Sequence, residues 1–332
     1  MRNYKTYISI FFCFIFLCCN NESKKSKTNS DFIKVTDFRN KEIKINYPTK
    51  KVVCLIESAL SGIYMLKAEN NIVGISTNVY NGDVFEQYKL LDGRIKNKTI
   101  PTPGNWDFIS IENIAALKPD LVIIWASQTE AIQSIENLGI PVYAIMINNT
   151  NDIFKEITDF GAIFNKKERA DSLISFAKNE IESIKTTIKT SDKKKVYFVW
   201  SQGKLETSGK KSTVNEMIEL ACCENVCNLP DEHIVVNAEK IIEWNPDIIL
   251  MWYSNQNKAN EILNFEAWQN INAVKNKNVY QLPSTFYCDL WTLKFLIPVK
   301  MLAKWSYPQE FNSINIEEYK KEIIKKLYDK EI

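Results

Sequence analysis

Two stretches of this 332-residue chain nearly duplicate one another: ISIENIAALKPDLVIIW at 109–125 and VNAEKIIEWNPDIILMW at 236–252, 127 positions apart. Glu112, Ile114, Pro119, Asp120 and Trp125 of the first match Glu239, Ile241, Pro246, Asp247 and Trp252 of the second. In each copy an amphipathic helix ends before a proline, which cannot continue it, and an apolar run after the aspartate reads as a strand buried on both faces. Earlier runs, KVVCLI at 51–56 and IVGIST at 72–77, flank another helical period. Such alternation predicts parallel sheets covered by helices.

A repeat of this kind suits one large sheet as well as two lobes, and the segment between the copies decides. Ala170, Leu173, Ile174, Ala177, Ile181, Ile184 and Ile188 form an apolar stripe at helical spacing, with Lys, Glu, Ser and Thr opposite. A helix from about 166 to 190 would extend roughly 37 Å, the breadth of a domain. It contains neither Gly nor Pro and should act as a stiff connector. The expected fold is α/β, two Rossmann-like lobes joined by this single long rigid helix. The boundaries are an N-terminal lobe at 33–150, connecting helices at 151–190, a C-terminal lobe at 194–310 and a terminal helix at 314–328.

The N-terminus reads as an address. Arg2 and Lys5 precede an apolar run from Ile8 to Leu17 that is too short to span a bilayer comfortably. The run stops at Cys18-Cys19 and a polar tract follows. This resembles the signal of bacterial lipoproteins, which predicts a signal peptide at 1–19, lipidation of Cys19, a tether at 20–32 and export to the periplasmic or cell-surface face of a bacterial membrane.

Composition excludes several functions. Forty-two Lys and Arg against 40 Asp and Glu leave a charge of +2, too weak a field to point to nucleic acid. His233 is the only histidine, so multi-histidine metal sites within one chain are excluded. The chain shows no glycine-rich phosphate loop, no CxxC pair and no defensible Ser/His/Asp set, so no catalysis and no cofactor are expected. Beyond the anchor, Cys54, Cys222, Cys223, Cys227 and Cys288 remain, an odd number. Cys223 and Cys227 could bridge, bind a soft metal or stay as buried thiols.

Taken together, KKVVCLIESALSGIYMLKAENNIVGIST, NWDFISIENIAALKPDLVIIW, the long helix and LETSGKKSTVNEMIELACCENV resemble the periplasmic binding proteins that deliver iron chelates, haem or cobalamin to ABC importers. The resemblance implies a ligand held between two lobes, handed to a permease with its ATPase. It also implies an acidic docking residue on each lobe, which falls at Glu216 in the second; the first-lobe position aligns with Ser61, near Glu57. Where the family usually has Gly-Gly, this chain has Cys222-Cys223, which questions the turn geometry because cysteine tolerates positive φ poorly.

In parallel α/β sheets ligands sit outside the carboxyl ends of strands. Those ends are aromatic here: Trp125, Trp200 and Trp252, with Tyr80 and Trp106 in first-lobe loops and Tyr287 and Trp291 after the late strand at 278–283. With Glu57 they are the candidate ligand-binding residues; aromatic side chains supply large contact area at small entropic cost. Further polar candidates are Asn105, Ser127, Lys210, Asp289 and Lys294, and His233 as a single axial ligand. Few cations accompany these aromatics, which fits a neutral or weakly charged iron chelate better than a ferric catecholate. Haem, a corrinoid, a bare transition-metal ion and thiol redox chemistry are the alternatives.

Overall fold

The computed structural model describes residues 32–332; the expected signal segment, Cys19 and all but the end of the tether lie outside them. Strands β1 (Phe32–Thr36) and β2 (Glu42–Asn46) form an antiparallel hairpin. Then come β3 (Val52–Cys54), β4 (Ile72–Ile75), β5 (Leu121–Trp125) and β6 (Val142–Ile145), which form a parallel sheet in the order β4-β3-β5-β6. After the long helix, β7 (Lys195–Val199), β8 (Glu206–Thr207), β9 (Glu224–Asn225), β10 (Ile234–Val235), β11 (Ile248–Met251) and β12 (Val279–Gln281) follow. Of these, β9-β7-β11-β12 form a second parallel sheet, while β8 and β10 pair separately. Numbered within its own sheet, each has the strand order 2-1-3-4. The duplication read at 109–125 and 236–252 therefore extends to a whole sheet topology.

Each conserved element of the repeat has a local physical task. Ser110 and Asn237 cap the two repeat helices, Ile111–Leu117 and Ala238–Trp244, by accepting from the backbone N–H three residues on. Lys118 and Asn245 end them in the left-handed conformation, and Pro119 and Pro246 follow. Asp120 then accepts from the N–H groups of Lys50 and Lys51 at 2.8 and 2.9 Å, and Asp247 from that of Lys195 at 3.0 Å. Each aspartate thus pins the start of its strand to the start of the neighbouring strand.

The strands are apolar on both faces because both faces are covered. In the first sheet Val53, Val122 and Ile124 face an outer core, and in the second Tyr197, Ile249 and Met251 do the same. The opposite faces, with Val52, Cys54 and Ile123 from one sheet and Val196, Phe198 and Leu250 from the other, belong to one continuous apolar cluster. This shared core joins the lobes at their base.

The long helix spans Lys167–Thr187, 21 residues and about 31 Å. It ends three residues before the expected limit because Ile188 is extended. Ala170, Leu173, Ala177, Ile181 and Ile184 are its buried stripe. It is not the single tie expected. The C-terminal helix, Ile316–Tyr328, returns to the first lobe, where the Tyr328 and Ser61 hydroxyls meet at 2.5 Å. Arg169 of the long helix donates to the Leu327 carbonyl at 3.0 Å and to that of Met65, and pairs with Asp329 at 2.8 Å.

Candidate functional site

Because both sheets have the 2-1-3-4 order, each has a switch point between its first and third strands, where adjacent crossovers leave on opposite sides and open a crevice. The residues at those points are Glu57, just beyond β3, with Trp125 at the end of β5, and Trp200 after β7 with Trp252 after β11. Glu57, Trp125 and Trp252 converge with Trp106 and Trp291 around a cleft of about 370 Å³, completed by Ser58, Asn78, Asp83, Thr285 and Asp289.

The indoles are not equivalent. Trp125, Trp252 and Trp291 are half-buried, whereas Trp106 stands on the rim at 60% exposure. Trp252 is edge-on to Trp291, with centroids 5.9 Å apart, so two walls are held at a defined angle. Trp200 lies behind Trp252 at 5.4 Å and is buried; its indole N–H donates to the Glu232 carbonyl at 3.1 Å. It buttresses the wall without lining it.

Polar groups are set with equal definition. Glu57 opens the helix Glu57–Met65 and accepts from the Ser76 hydroxyl at 2.6 Å. Asp289 accepts from the Trp291 N–H at 3.0 Å, which fixes the turn carrying that indole. Behind it Lys294, 1% exposed, pairs with Asp289 at 3.5 Å. Burial pushes the Asp289 carboxyl up and pulls the Lys294 ammonium down to about 8, each opposed by the partner's charge. Thr285 lines the cleft, but its hydroxyl oxygen is buried and has no hydrogen-bond partner among the described residues.

Several expected site residues lie elsewhere. The Tyr80 hydroxyl donates to the Ile100 carbonyl at 3.0 Å, and that of Tyr287 to the Ile332 carbonyl at 3.3 Å, so both tie down chain segments. His233 stacks on Trp200 at 4.7 Å and bonds Glu206 at 2.7 Å on the outer side of the wall. Lys210 reaches the Asn225 carbonyl and Ser127 lines a more open depression beside Trp106, whereas Asn105 donates at 3.1 Å to the Asn78 side-chain oxygen next to the cleft. Ser61 is wholly buried against Tyr328, so it cannot meet a permease from there. Glu216 is partly buried and accepts from the Thr150 hydroxyl at 2.6 Å, a contact between the lobes.

The described thiols are buried or half-buried and free. Burial pushes Cys223 up to about 11 and Cys288 up to about 12, the opposite of what a reactive cysteine needs. The questioned turn forms with Cys222 left-handed at φ 57°, its carbonyl accepting from the Tyr307 hydroxyl at 2.7 Å.

Comparison with known proteins agrees with this fold. The molybdate-binding protein MolA of Haemophilus influenzae is 27% identical over 322 residues, covering 89% of this chain and 90% of its own. Its molybdate-bound structure superposes with a TM-score of 0.77 at 25% identity, over 90% of this chain and 99% of that one. The uncharacterized ABC transporter substrate-binding lipoprotein YvrC of Bacillus subtilis is 27% identical, over 86% of this chain and 89% of its own. The iron(3+)-hydroxamate-binding protein FhuD of the same organism is 24% identical over 86% and 92%. The family profile described as periplasmic binding protein matches residues 52–285, and the chain therefore belongs to that family: it is a substrate-binding protein of an ABC importer, not an enzyme.

Proposed function

We propose that this protein captures a siderophore-type iron chelate in the cleft between its lobes and delivers it to an ABC permease. The observation that carries the reading is the convergence of Trp106, Trp125, Trp252 and Trp291 from both lobes on one cavity of about 370 Å³. Flat apolar walls of that area suit a bulky complex better than a small, strongly hydrated oxyanion. The hydroxamate-binding relative supports the same choice.

Lipidation at Cys19 would hold the receptor at the membrane; the polar tract after the apolar run and the lipoprotein relative support it. Docking needs an exposed acid on each lobe, which Ser61 and Glu216 do not offer. Glu112 and Glu239 do: they occupy matching positions in the first turns of the two repeat helices, and both are exposed. Each helix begins on the side where the strand after it ends, so both glutamates face the cleft side of the molecule. Charges so placed would orient the receptor on paired basic pockets more than add affinity.

Titration of the purified protein with ferric hydroxamates, haem, corrinoids and molybdate, followed by tryptophan fluorescence, tests the reading. A ferric chelate should quench saturably and be recovered unchanged. Binding of molybdate alone would sink the proposal.

A further inference from the structure

The charges around the cleft say more about its guest than its size does. Three carboxylates line it, those of Glu57, Asp83 and Asp289, and among the described residues no Lys or Arg does. The nearest countercharge, Lys294, is buried behind Asp289 and compensates that group alone. Glu57 is bonded to a neutral hydroxyl, and Asp83 is exposed at the rim. Lys98 lies over the rings of Tyr80 and Phe85, at 5.8 and 5.2 Å, outside the lining. The helix that opens at the cleft would favour an anion by its dipole, but its first residue is Glu57, whose own carboxylate already answers that field.

Anion recognition calls for convergent donors such as Arg forks or free amides. This cleft presents indole faces beside acids, the combination that attracts positive charge through the ring quadrupole and through Coulomb forces together.

Building on the proposed chelate capture, we infer that the cleft selects complexes carrying positive charge, with a cationic group seated among Trp125, Trp252 and Trp291 against the Glu57 and Asp83 carboxylates. A chelate whose ligand bears a free protonated amine fits this description; an anionic tricatecholate and molybdate do not.

The test uses one ferric trihydroxamate in three forms that share the same iron-binding core: with its terminal amine free, acetylated or succinylated, hence cationic, neutral and anionic. A second pair, diaqua and dicyano cobinamide, poses the same question for a corrinoid. Tryptophan quenching should show the cationic form bound about tenfold more tightly than the neutral one and about a hundredfold more tightly than the anionic one, preferences that shrink as salt is raised. Asp83→Asn, at an exposed position, and Glu57→Gln should each reduce the cation-to-anion ratio about tenfold or less, and more when combined. Equal or tighter binding of the anionic form, or a ratio unmoved by both substitutions, overturns the charge inference and leaves chelate capture standing. Quenching by neither series removes chelate capture and this inference with it.

Discussion

The two lobes share a strand order and differ most where their first strands end. In the first lobe β3 runs into Glu57, a carboxylate facing the cleft; in the second β7 runs into Trp200, an indole turned into the wall behind Trp252. At the ends of their third strands they agree, with Trp125 and Trp252 both lining the cavity. Duplication thus supplied a pair of equivalent aromatic walls, while the different residues that follow the first strands, Glu57 in one lobe and Trp200 in the other, add a carboxylate on one side and a rigid support on the other.

That asymmetry is most sharply tested by truncating the two second-lobe indoles. Trp252→Ala should weaken ligand binding by about 2–4 kcal/mol while leaving the protein folded. Trp200→Ala should instead cost about 3–5 kcal/mol of stability, because it empties a buried site. Isothermal titration and denaturant unfolding separate the outcomes. If both variants lost binding and kept stability, Trp200 would be a contact residue and the division between wall and buttress would fail.

The paired aspartates give a smaller difference. Asp120 accepts from two backbone N–H groups and Asp247 from one, so Asp120→Ala should destabilise by about 2–3 kcal/mol and Asp247→Ala by about 1–2 kcal/mol. Equal losses by urea unfolding would show that the strand clamp does not depend on the number of bonds.

The smallest effect concerns two matching turns. The helices Glu57–Met65 and Thr213–Leu220 both end with a left-handed residue two positions on, Lys67 at φ 58° and Cys222 at φ 57°. Cys222→Gly should raise stability by about 1 kcal/mol by removing a Cβ from that conformation. Lys67→Gly should gain less, because Lys67 also donates to the Tyr328 carbonyl and pairs with Asp329 at 3.7 Å. A larger gain at Lys67 would mean that its ties to the C-terminal helix contribute nothing.

Much of this architecture was legible in the chain. The repeat marked two equivalent helix and strand units, apolar runs marked strands covered on both faces, and the stripe from Ala170 to Ile188 marked the long helix within a few residues of its ends, Ile188 falling just beyond it. The candidate site was legible only in part. Periodicity placed Trp125, Trp200 and Trp252 alike at strand ends, and nothing local distinguished a wall from its buttress. Tyr80 and Tyr287 looked like cleft residues because they occur in the right loops, yet their hydroxyls bond backbone carbonyls remote in sequence. Asp83 was missed, and the signal for it was its neighbourhood: a Gly-Asp pair in a loop that follows a strand of the first sheet.

The docking residues show the same boundary. Similarity of motif pointed to Ser61 and Glu216; in the structure Ser61 is buried against Tyr328 and Glu216 is partly buried against Thr150, while Glu112 and Glu239 of the repeat stand exposed. The alternation of strands and helices and the extent of the long helix followed from apolar runs and from residue patterns repeating every 3.6 positions, and the family from ordered motifs along the chain. Which indoles face the cavity, which carboxylates remain without a countercharge and how the C-terminal helix locks onto the first lobe depend on contacts between residues far apart in the chain. Packing alone brings such groups within reach of one another, and no periodic pattern encodes it.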